Sequence, residues 1–169
     1  MGDYKIVTFT KQLAIKHQLA LTSLLRLIPQ VEYDDNYILL EEKSGRAFLG
    51  KWEHSLIALD INNNPIAVLI AYERKLESNG LYPVNTLYIN EVCVSPVFQG
   101  QGIAKALLTA FINKGKKGFK YLKGDVIFAV QTNSAYWNKN VQELYAKFGF
   151  RKVGEKVYDN RIDNIYFLK

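Results

Sequence analysis

Glu91-Val92-Cys93-Val94-Ser95-Pro96-Val97-Phe98-Gln99-Gly100-Gln101-Gly102-Ile103-Ala104-Lys105-Ala106-Leu107-Leu108 reads as the end of a strand, a turn and the start of a helix. From Ile103 onward Ile103, Ala106, Leu107, Ala110 and Phe111 recur at helical spacing and make one apolar face. In the turn, Gly100 and Gly102 with the small Ala104 after them free a run of backbone N–H groups at the helix start. Unsatisfied donors and the helix dipole favour phosphate there. A concavity of such amides can bind a pyrophosphate without a positive side chain. Taken alone, the two glycines are equally a turn that merely begins a helix. The spacing does exclude two other phosphate loops. A Walker loop needs Gly-x-x-x-x-Gly-Lys-Ser/Thr, which is not met from Gly100, and a dinucleotide loop needs glycine where Lys105 stands. The stretch also lies late in the chain, unlike the first βα turn of a Rossmann unit.

Upstream, Tyr4 to Phe9 alternates weakly and reads as a strand. Thr10 can cap a helix whose stripe is Leu13, His17, Ala20, Leu21, Leu24, Leu27 and Ile28, ended by Pro29. Val31 to Trp52 has no clear period, carries Glu32, Asp34 and Asp35, and is expected to be a loop with a short helix. His54 to Ile61 and Ile66 to Arg74, around Asn62-Asn63-Asn64-Pro65, predict a hairpin, and Leu87 to Val94 extends it to an antiparallel meander. Downstream, the Ile103 helix is expected to end at the glycines 115 and 118. Asp125 to Val130 reads as a short apolar strand. Trp137, Val141, Leu144, Tyr145 and Phe148 form a helical stripe closed by Gly149, and Phe150 to Val157 with Arg161 to Leu168 give two last strands. The order predicts an α/β (mixed α+β) fold. Its central, mostly antiparallel twisted sheet has six to seven strands with one parallel pair, and about four helices flank it. The strand–helix–strand passage should be a right-handed crossover.

At 169 residues, 49% hydrophobic and 22% charged, the chain has the composition of an ordinary globular domain, and residues 1–169 are expected to form one domain. The lone Cys93 cannot form an internal bridge, which suits a reducing cytoplasm, and a Cys/His zinc cluster is not available. The longest apolar run, Ile66 to Tyr72, is far short of the roughly 20 residues of a membrane helix. The net charge of +6 is compatible with nucleic acid, anionic lipid or a phosphorylated cofactor and does not choose among them. Its densest part is Lys114-Gly115-Lys116-Lys117 with Lys120 and Lys123, which reads as a solvated helix end or an anion contact.

Gln99-Gly100-Gln101-Gly102-Ile103-Ala104 fits Gln/Arg-x-x-Gly-x-Gly/Ala at a helix start. Asn138, Val141, Leu144-Tyr145 and Lys147-Phe148-Gly149-Phe150 fit Asn-x-x-Ala-x-x-Leu-Tyr-x-x-x-Gly-Phe, with Val141 where Ala is usual. In these two segments, in order and separated by a helix and a strand, the chain resembles the GCN5-related N-acetyltransferases. The resemblance runs from about Ile66 to the end, and before that it extends only to the order of elements.

That resemblance implies a cosubstrate, acetyl-CoA, and no metal. It implies that Val92, Cys93 and Val94, against Val130 to Asn133, leave backbone groups open to the pantetheine arm, with Val92 or Val94 N–H facing the thioester carbonyl as an oxyanion donor. The pyrophosphate would lie on the turn from Gln99 through Gly100, Gln101, Gly102, Ile103 and Ala104, with Lys105 or the Lys114–Lys123 cluster near the 3′-phosphate. Glu91 is the leading general base and Glu73 the reserve. Glu91 reads equally as an acid holding the sheet edge. Tyr145 resembles the family's general acid, a phenol aimed at the departing thiolate. Asn138 would bind the pantetheine amides or cap its helix. Cys93 reads as a buried small hydrophobe, since Glu91 on the same strand face would raise its pKa and no activating base is recognisable. The expected partners are acetyl-CoA and a primary amine on a small cationic molecule, transferred directly in a ternary complex, with neither nucleic acid nor membrane involved. A homodimer is left open. A protein or peptide amine is the alternative acceptor, and a coenzyme-binding module without turnover is the rival from another class.

Overall fold

The computed structural model of the protein describes residues 3–28, 32–43, 46–74, 86–119, 130–135, 138–158 and 161–168. In chain order these form β1 (Tyr4–Thr8), α1 (Lys11–Lys16), α2 (Gln18–Leu25), a 3-10 turn (Tyr37–Leu39), β2 (Glu42–Lys43), β3 (Arg46–Ala47), α3 (Lys51–His54), β4 (Leu56–Asp60), β5 (Pro65–Arg74) and β6 (Thr86–Val94). A second 3-10 turn (Pro96–Phe98) leads into α4 (Ile103–Phe119), β7 (Val130–Ala135), α5 (Lys139–Lys147), β8 (Arg151–Tyr158) and β9 (Arg161–Leu168). Seven strands build one sheet in the order β1-β4-β5-β6-β7-β9-β8, and β2 and β3 pair separately. All neighbours in the large sheet are antiparallel except β6 and β7, which are parallel. This is the mixed sheet with one parallel pair that the sequence order predicts.

Helices cover both faces. Ile103, Leu107, Leu108 and Phe111 of α4 pack with Tyr145 of α5 on Leu87, Ile89 and Leu69. On the other face Leu21, Leu24 and Leu25 of α2 pack with Tyr33 and Tyr37 on Ile57, Val68, Ile70 and Cys93. Burial of these apolar side chains, at about 1.5–3 kcal/mol each, is what closes the layers on the sheet.

Several boundaries differ from the sequence reading, each for a local reason. Thr10 does cap the first helix, accepting from Leu13 N–H at 3.3 Å. The helix is interrupted at His17, although the bonds from His17 N–H to Leu13 C=O (3.0 Å) and from Leu21 N–H to His17 C=O (2.9 Å) carry the ladder across the break. α2 stops at Leu25 and tightens into i→i−3 bonds at Leu27 and Ile28, ahead of Pro29, which lies outside the described residues. α4 runs through Gly115 and Gly118 to Phe119 rather than ending there. The glycines cost about 1 kcal/mol each against alanine, and the packed apolar face outweighs that. Lys114 is used structurally, its ammonium donating to Thr8 Oγ1 at 3.1 Å and to the Glu53 carbonyl, which ties α4 to β1 and α3. Lys120 and Lys123 fall outside the described residues.

Of the strand expected at Asp125 to Val130 only Val130 lies among the described residues, and there it opens β7, Val130–Ala135. An apolar criterion misses this strand because Thr132 and Ser134 are its buried residues. Trp137 is likewise outside, but the rest of its stripe forms α5. Gly149 ends α5 at φ 85°, with Gly149 N–H on Ala146 C=O (2.9 Å), Phe150 N–H on Tyr145 C=O (3.1 Å) and the Phe150 ring against Tyr145. This is a Schellman cap with its apolar contact.

Candidate active site

β6 and β7 run together only from Leu87, Tyr88 and Ile89 against Val130, Gln131 and Thr132. Beyond that point β6 stays with β5 through Val94, and β7 stays with β9 through Ala135. The two parallel strands therefore fork. The cause is a bulge: Ile70 faces Glu91 and Ala71 faces Ile89, so Asn90 is the extra residue, and a bulge bends and twists its strand. This shifts one expectation. Val130 to Thr132 are paired with β6, and the β7 side of the opening begins at Asn133.

Ser95 N–H donates to Ile66 C=O at 2.8 Å, so by strand alternation the N–H and C=O of Cys93 and Glu91 also point toward β5. Those of Val92 and Val94 point into the fork. Cys93 is thus removed from the groups expected to meet the pantetheine arm through its backbone. Its side chain is removed as well: it is buried, donates to the Leu24 carbonyl at 2.9 Å, and burial together with the Glu91 charge pushes the thiol up to about 11.

The mouth of the fork leads to the N-terminus of α4. Gly100 and Gly102 have φ of 77° and 80°, the left-handed region that strongly favours glycine, and a Cβ on either would meet nothing within 4 Å. Gln99 and Gln101 brace the turn, donating through their side chains to the carbonyls of Val94 (3.0 Å) and Val97 (3.3 Å). Ile103 buries its side chain in the core, which leaves its amide at the helix end. A cavity of about 460 Å³ opens over this turn and is walled by Val94, Gly102, Ala104 and Lys105 on one side and by Asn140 and Lys147 of α5 on the other. Amides in a left-handed turn, a helix N-terminus and two lysines suit a diphosphate, and the fork behind them suits an extended amide-bearing arm. Coenzyme A has both parts, and the residues present fit it. Asn140 and Lys147 were not singled out in the sequence, where Lys147 was read only as part of the helix-end motif.

At the bottom of the fork sits Tyr145. Thr132 Oγ1 lies 3.2 Å from the Ile89 carbonyl and 3.1 Å from the Tyr145 hydroxyl. The Thr132 hydroxyl hydrogen is within reach of both oxygens, and the phenol oxygen accepts from it. Tyr145 is buried, between Phe150 and Tyr166, and burial, offset in part by the Thr132 hydrogen bond and reinforced by the Glu91 charge, raises its pKa to about 12. Asn138 caps α5, its Oδ1 accepting from Val141 N–H at 3.3 Å, so of its two expected roles the structure records the cap.

Glu91 lies on the opposite sheet face, among tyrosines. Its Oε1 accepts from Tyr37 O–H (3.3 Å) and from Asn90 Nδ2 (3.1 Å), while Asn90 Nδ2 also donates to the Tyr37 oxygen (2.7 Å) and Asn90 Oδ1 accepts from Tyr72 O–H (3.3 Å). The pattern fixes the direction of every hydrogen in the triangle Glu91–Tyr37–Asn90. Burial first, and then the Glu91 charge, hold the phenols of Tyr33 and Tyr37 well above their ordinary pKa. Tyr33, Tyr37 and Asn90 were invisible to the sequence reading, because Val31–Trp52 has no periodicity and a bulge leaves no motif. Glu73 is committed elsewhere, paired with His54 Nε2 at 2.9 Å.

The fork, the amide turn and the phenol together define a coenzyme A-dependent acyltransferase. Residues 20–150 match the Acetyltransferase (GNAT) family. The chain belongs to that family and is an acetyl-CoA-dependent N-acetyltransferase. No curated protein matches it in sequence. Among solved structures it is similar to the NatC complex bound to Gag peptide and CoA, with 20% identity over 98% of each chain and a TM-score of 0.75. It is also similar to Arabidopsis thaliana Naa50 in complex with the bisubstrate analogue CoA-Ac-MVNAL, with 17% identity over 99% of each chain and a TM-score of 0.69. The ribosomal-protein-S18-alanine N-acetyltransferase of Escherichia coli shows 15% identity over 98% of this chain and 92% of its own, with a TM-score of 0.67. At these identities the likeness is one of fold. Among the described residues no helix is long and apolar enough to cross a membrane.

The glycine turn makes a direct test. Gly102→Ala places a side chain at φ 80°, which costs about 1–2 kcal/mol in the left-handed region. The expected result in calorimetry is acetyl-CoA binding weakened by about tenfold, with the melting curve moved by only a few degrees.

Proposed function

We propose that residues 1–169 act as a single acetyltransferase domain whose acceptor is the α-amine of a peptide or protein N-terminus, acetylated directly in a ternary complex. The observation that carries this reading is the setting of Glu91, one carboxylate inside a cluster of tyrosine rings and hydroxyls. Such a setting suits one ammonium flanked by carbon rather than a polycation. Three other acidic groups of the Val31 to Glu42 stretch are engaged within the fold. Asp35 pairs with Arg26 at 2.8 Å, Asp34 accepts from Asn36 N–H at 2.7 Å, and Glu41 bonds Lys11 at 3.0 Å and Trp52 at 2.7 Å. The similarity in fold to proteins solved with peptide or bisubstrate ligands supports the same choice.

In this reading each group has one task. The N–H groups of Val92 or Val94 donate to the thioester oxygen as it gains charge, the largest contribution such sites usually make. Amides of the Gly100–Ala104 turn, with Lys105 and Lys147, hold the diphosphate. Glu91 takes the proton of the attacking amine. An α-amine, near 7.7–8.0, is roughly one-tenth free base at pH 7, whereas an alkylammonium near 10.4 is almost wholly protonated, so an α-amine asks less of that carboxylate. Tyr145 donates a hydrogen bond to the sulfur as it leaves. At about 12 the phenol is a weaker acid than an ordinary thiol near 8.5, so stabilising the thiolate is within its reach and full proton loss is not required of it.

A panel of acceptors followed by thiol release tests the acceptor class. Short peptides with a free N-terminus are expected to exceed spermidine, an aminoglycoside and an N-blocked lysine peptide in kcat/KM by at least about tenfold. A preference for the polyamine or aminoglycoside would return the assignment to a small cationic acceptor.

A further inference from the structure

Lys51 is the first residue of α3 and is only 2% exposed, a rare place for an ammonium. Among the described residues no carboxylate is paired with it. Its Nζ donates to the carbonyl of Ile38 at 2.9 Å and to that of Leu40 at 2.5 Å, and it stands 4.7 Å from the centroid of Trp52 and 5.5 Å from that of Phe48. Those two carbonyls belong to the 3-10 turn Tyr37–Leu39 and the residue after it, a turn too short to satisfy its own acceptors. The first residue of that turn is Tyr37, whose hydroxyl donates to Glu91.

We propose that Lys51 is a positioning residue for acetyl transfer: its buried ammonium, bonded to the Ile38 and Leu40 carbonyls, holds the turn that presents Tyr37 to the Glu91 carboxylate. The proposal rests on the reading of Glu91 as the base. An apolar residue at 51 would fill the same space but leave two buried carbonyls without a donor, so the turn would shift to find water and carry Tyr37 with it. The backbone here leaves little alternative. Gly50 enters α3 in the left-handed region at φ 66°, and a side chain there would meet the His54 ring at 2.6 Å, so the entry to α3 is held to glycine. Burial draws the Lys51 pKa down to about 8, with Glu41 pulling in the opposite direction. The neutral amine would still carry two N–H donors, so the device does not depend on the charge alone.

The readout is the acid side of the pH profile. Among the described residues, the titratable or polar groups around Glu91 are Tyr33 and Tyr37 from the segment before β2 and Asn90 and Cys93 on its own strand, with Lys43 over the Tyr37 ring at 5.4 Å and Tyr145 across the sheet within reach of its charge. Loss of the Tyr37 donor raises the Glu91 pKa, because that hydrogen bond favours the ionised form. The experiment measures kcat, both KM values and kcat/KM against pH for Lys51→Met, Tyr37→Phe and the double variant. Expected for Lys51→Met is a kcat lower by about 10-fold to 100-fold, an unchanged acetyl-CoA KM and an acid limb displaced upward by about one pH unit. Tyr37→Phe should displace the limb alike, and the double variant should add little. A Lys51→Met enzyme with wild-type kcat and limb overturns the proposal, as does a loss that multiplies in full with that of Tyr37→Phe. Should the Met variant not fold, Lys51→Gln, which keeps two donors, is expected to hold kcat and the acid limb near wild type, and a Gln variant displaced as far as Tyr37→Phe overturns the proposal. The two readings fail separately. Full activity in Glu91→Gln removes the base, whereas an inactive Glu91→Gln beside a silent Lys51→Met removes only the positioning role.

Discussion

Glu91→Gln is expected to lower kcat by about 10²–10⁴-fold while acetyl-CoA binding stays at the wild-type level. The substitution isolates basicity. A glutamine oxygen can still accept from Tyr37 and Asn90, which now stand 3.3 and 3.1 Å from Oε1, so the triangle can persist without the charge. What disappears is the group able to take a proton from the attacking amine. The pH profile should change with it. With Glu91 as the base, kcat/KM of the wild-type enzyme is expected to fall toward acid, and in the variant that limb should vanish and leave only the titration of the acceptor amine. Removing the negative charge takes away one of the causes that hold Tyr33, Tyr37, Cys93 and Tyr145 high, but burial, the largest cause for each, remains and keeps them above their ordinary values. A variant with wild-type kcat and an intact acid limb would show that Glu91 only braces the bulge at Asn90.

The second large effect belongs to Tyr145→Phe, for which a kcat loss on the order of 10²-fold is expected with little change in either KM. The ring is retained, and with it the packing against Phe150 and Tyr166 and the apolar contact of the helix cap. One hydrogen bond to Thr132 is lost, worth about 1 kcal/mol, but no buried donor is stranded, because Thr132 still gives its hydrogen to the Ile89 carbonyl. The melting temperature should therefore move little, and the deficit lies in the departure of the thiolate. An acetyl-donor thioester with a more acidic thiol should recover part of the rate, since its leaving group needs less help. Unchanged kcat with ordinary acetyl-CoA would make Tyr145 a core residue.

Much of this arrangement is legible in the sequence wherever a short-range rule acts. The meander, the helix from Ile103, the Thr10 cap and the Gly149 cap follow from period, turn residues and glycine. Gly100 and Gly102 are legible because a left-handed turn leaves few other choices. Residues whose places are set by tertiary contact are not legible. The fork depends on a single extra residue, Asn90, which no pattern marks. Tyr33 and Tyr37 lie in a stretch without period and acquire meaning only when α2 and β6 bring them to Glu91. β7 hides because its inward residues, Thr132 and Ser134, are polar, and α4 overruns two glycines because its apolar face is fully packed. Asn138 shows the reverse limit: the motif marks its importance, and the structure shows the local cap it forms.

The central claim is that the unpaired edge of β6 and the α4 turn together grip the cosubstrate. Amide hydrogen exchange by NMR, with and without coenzyme A, tests it residue by residue. Protection should rise at Val92, Val94, Gly100, Gly102 and Ala104, while Cys93, already bonded to β5, should be protected in both states. Equal protection of Val92, Cys93 and Val94 without the coenzyme, or no gain at Val92 and Val94 on saturating it, would contradict the claim.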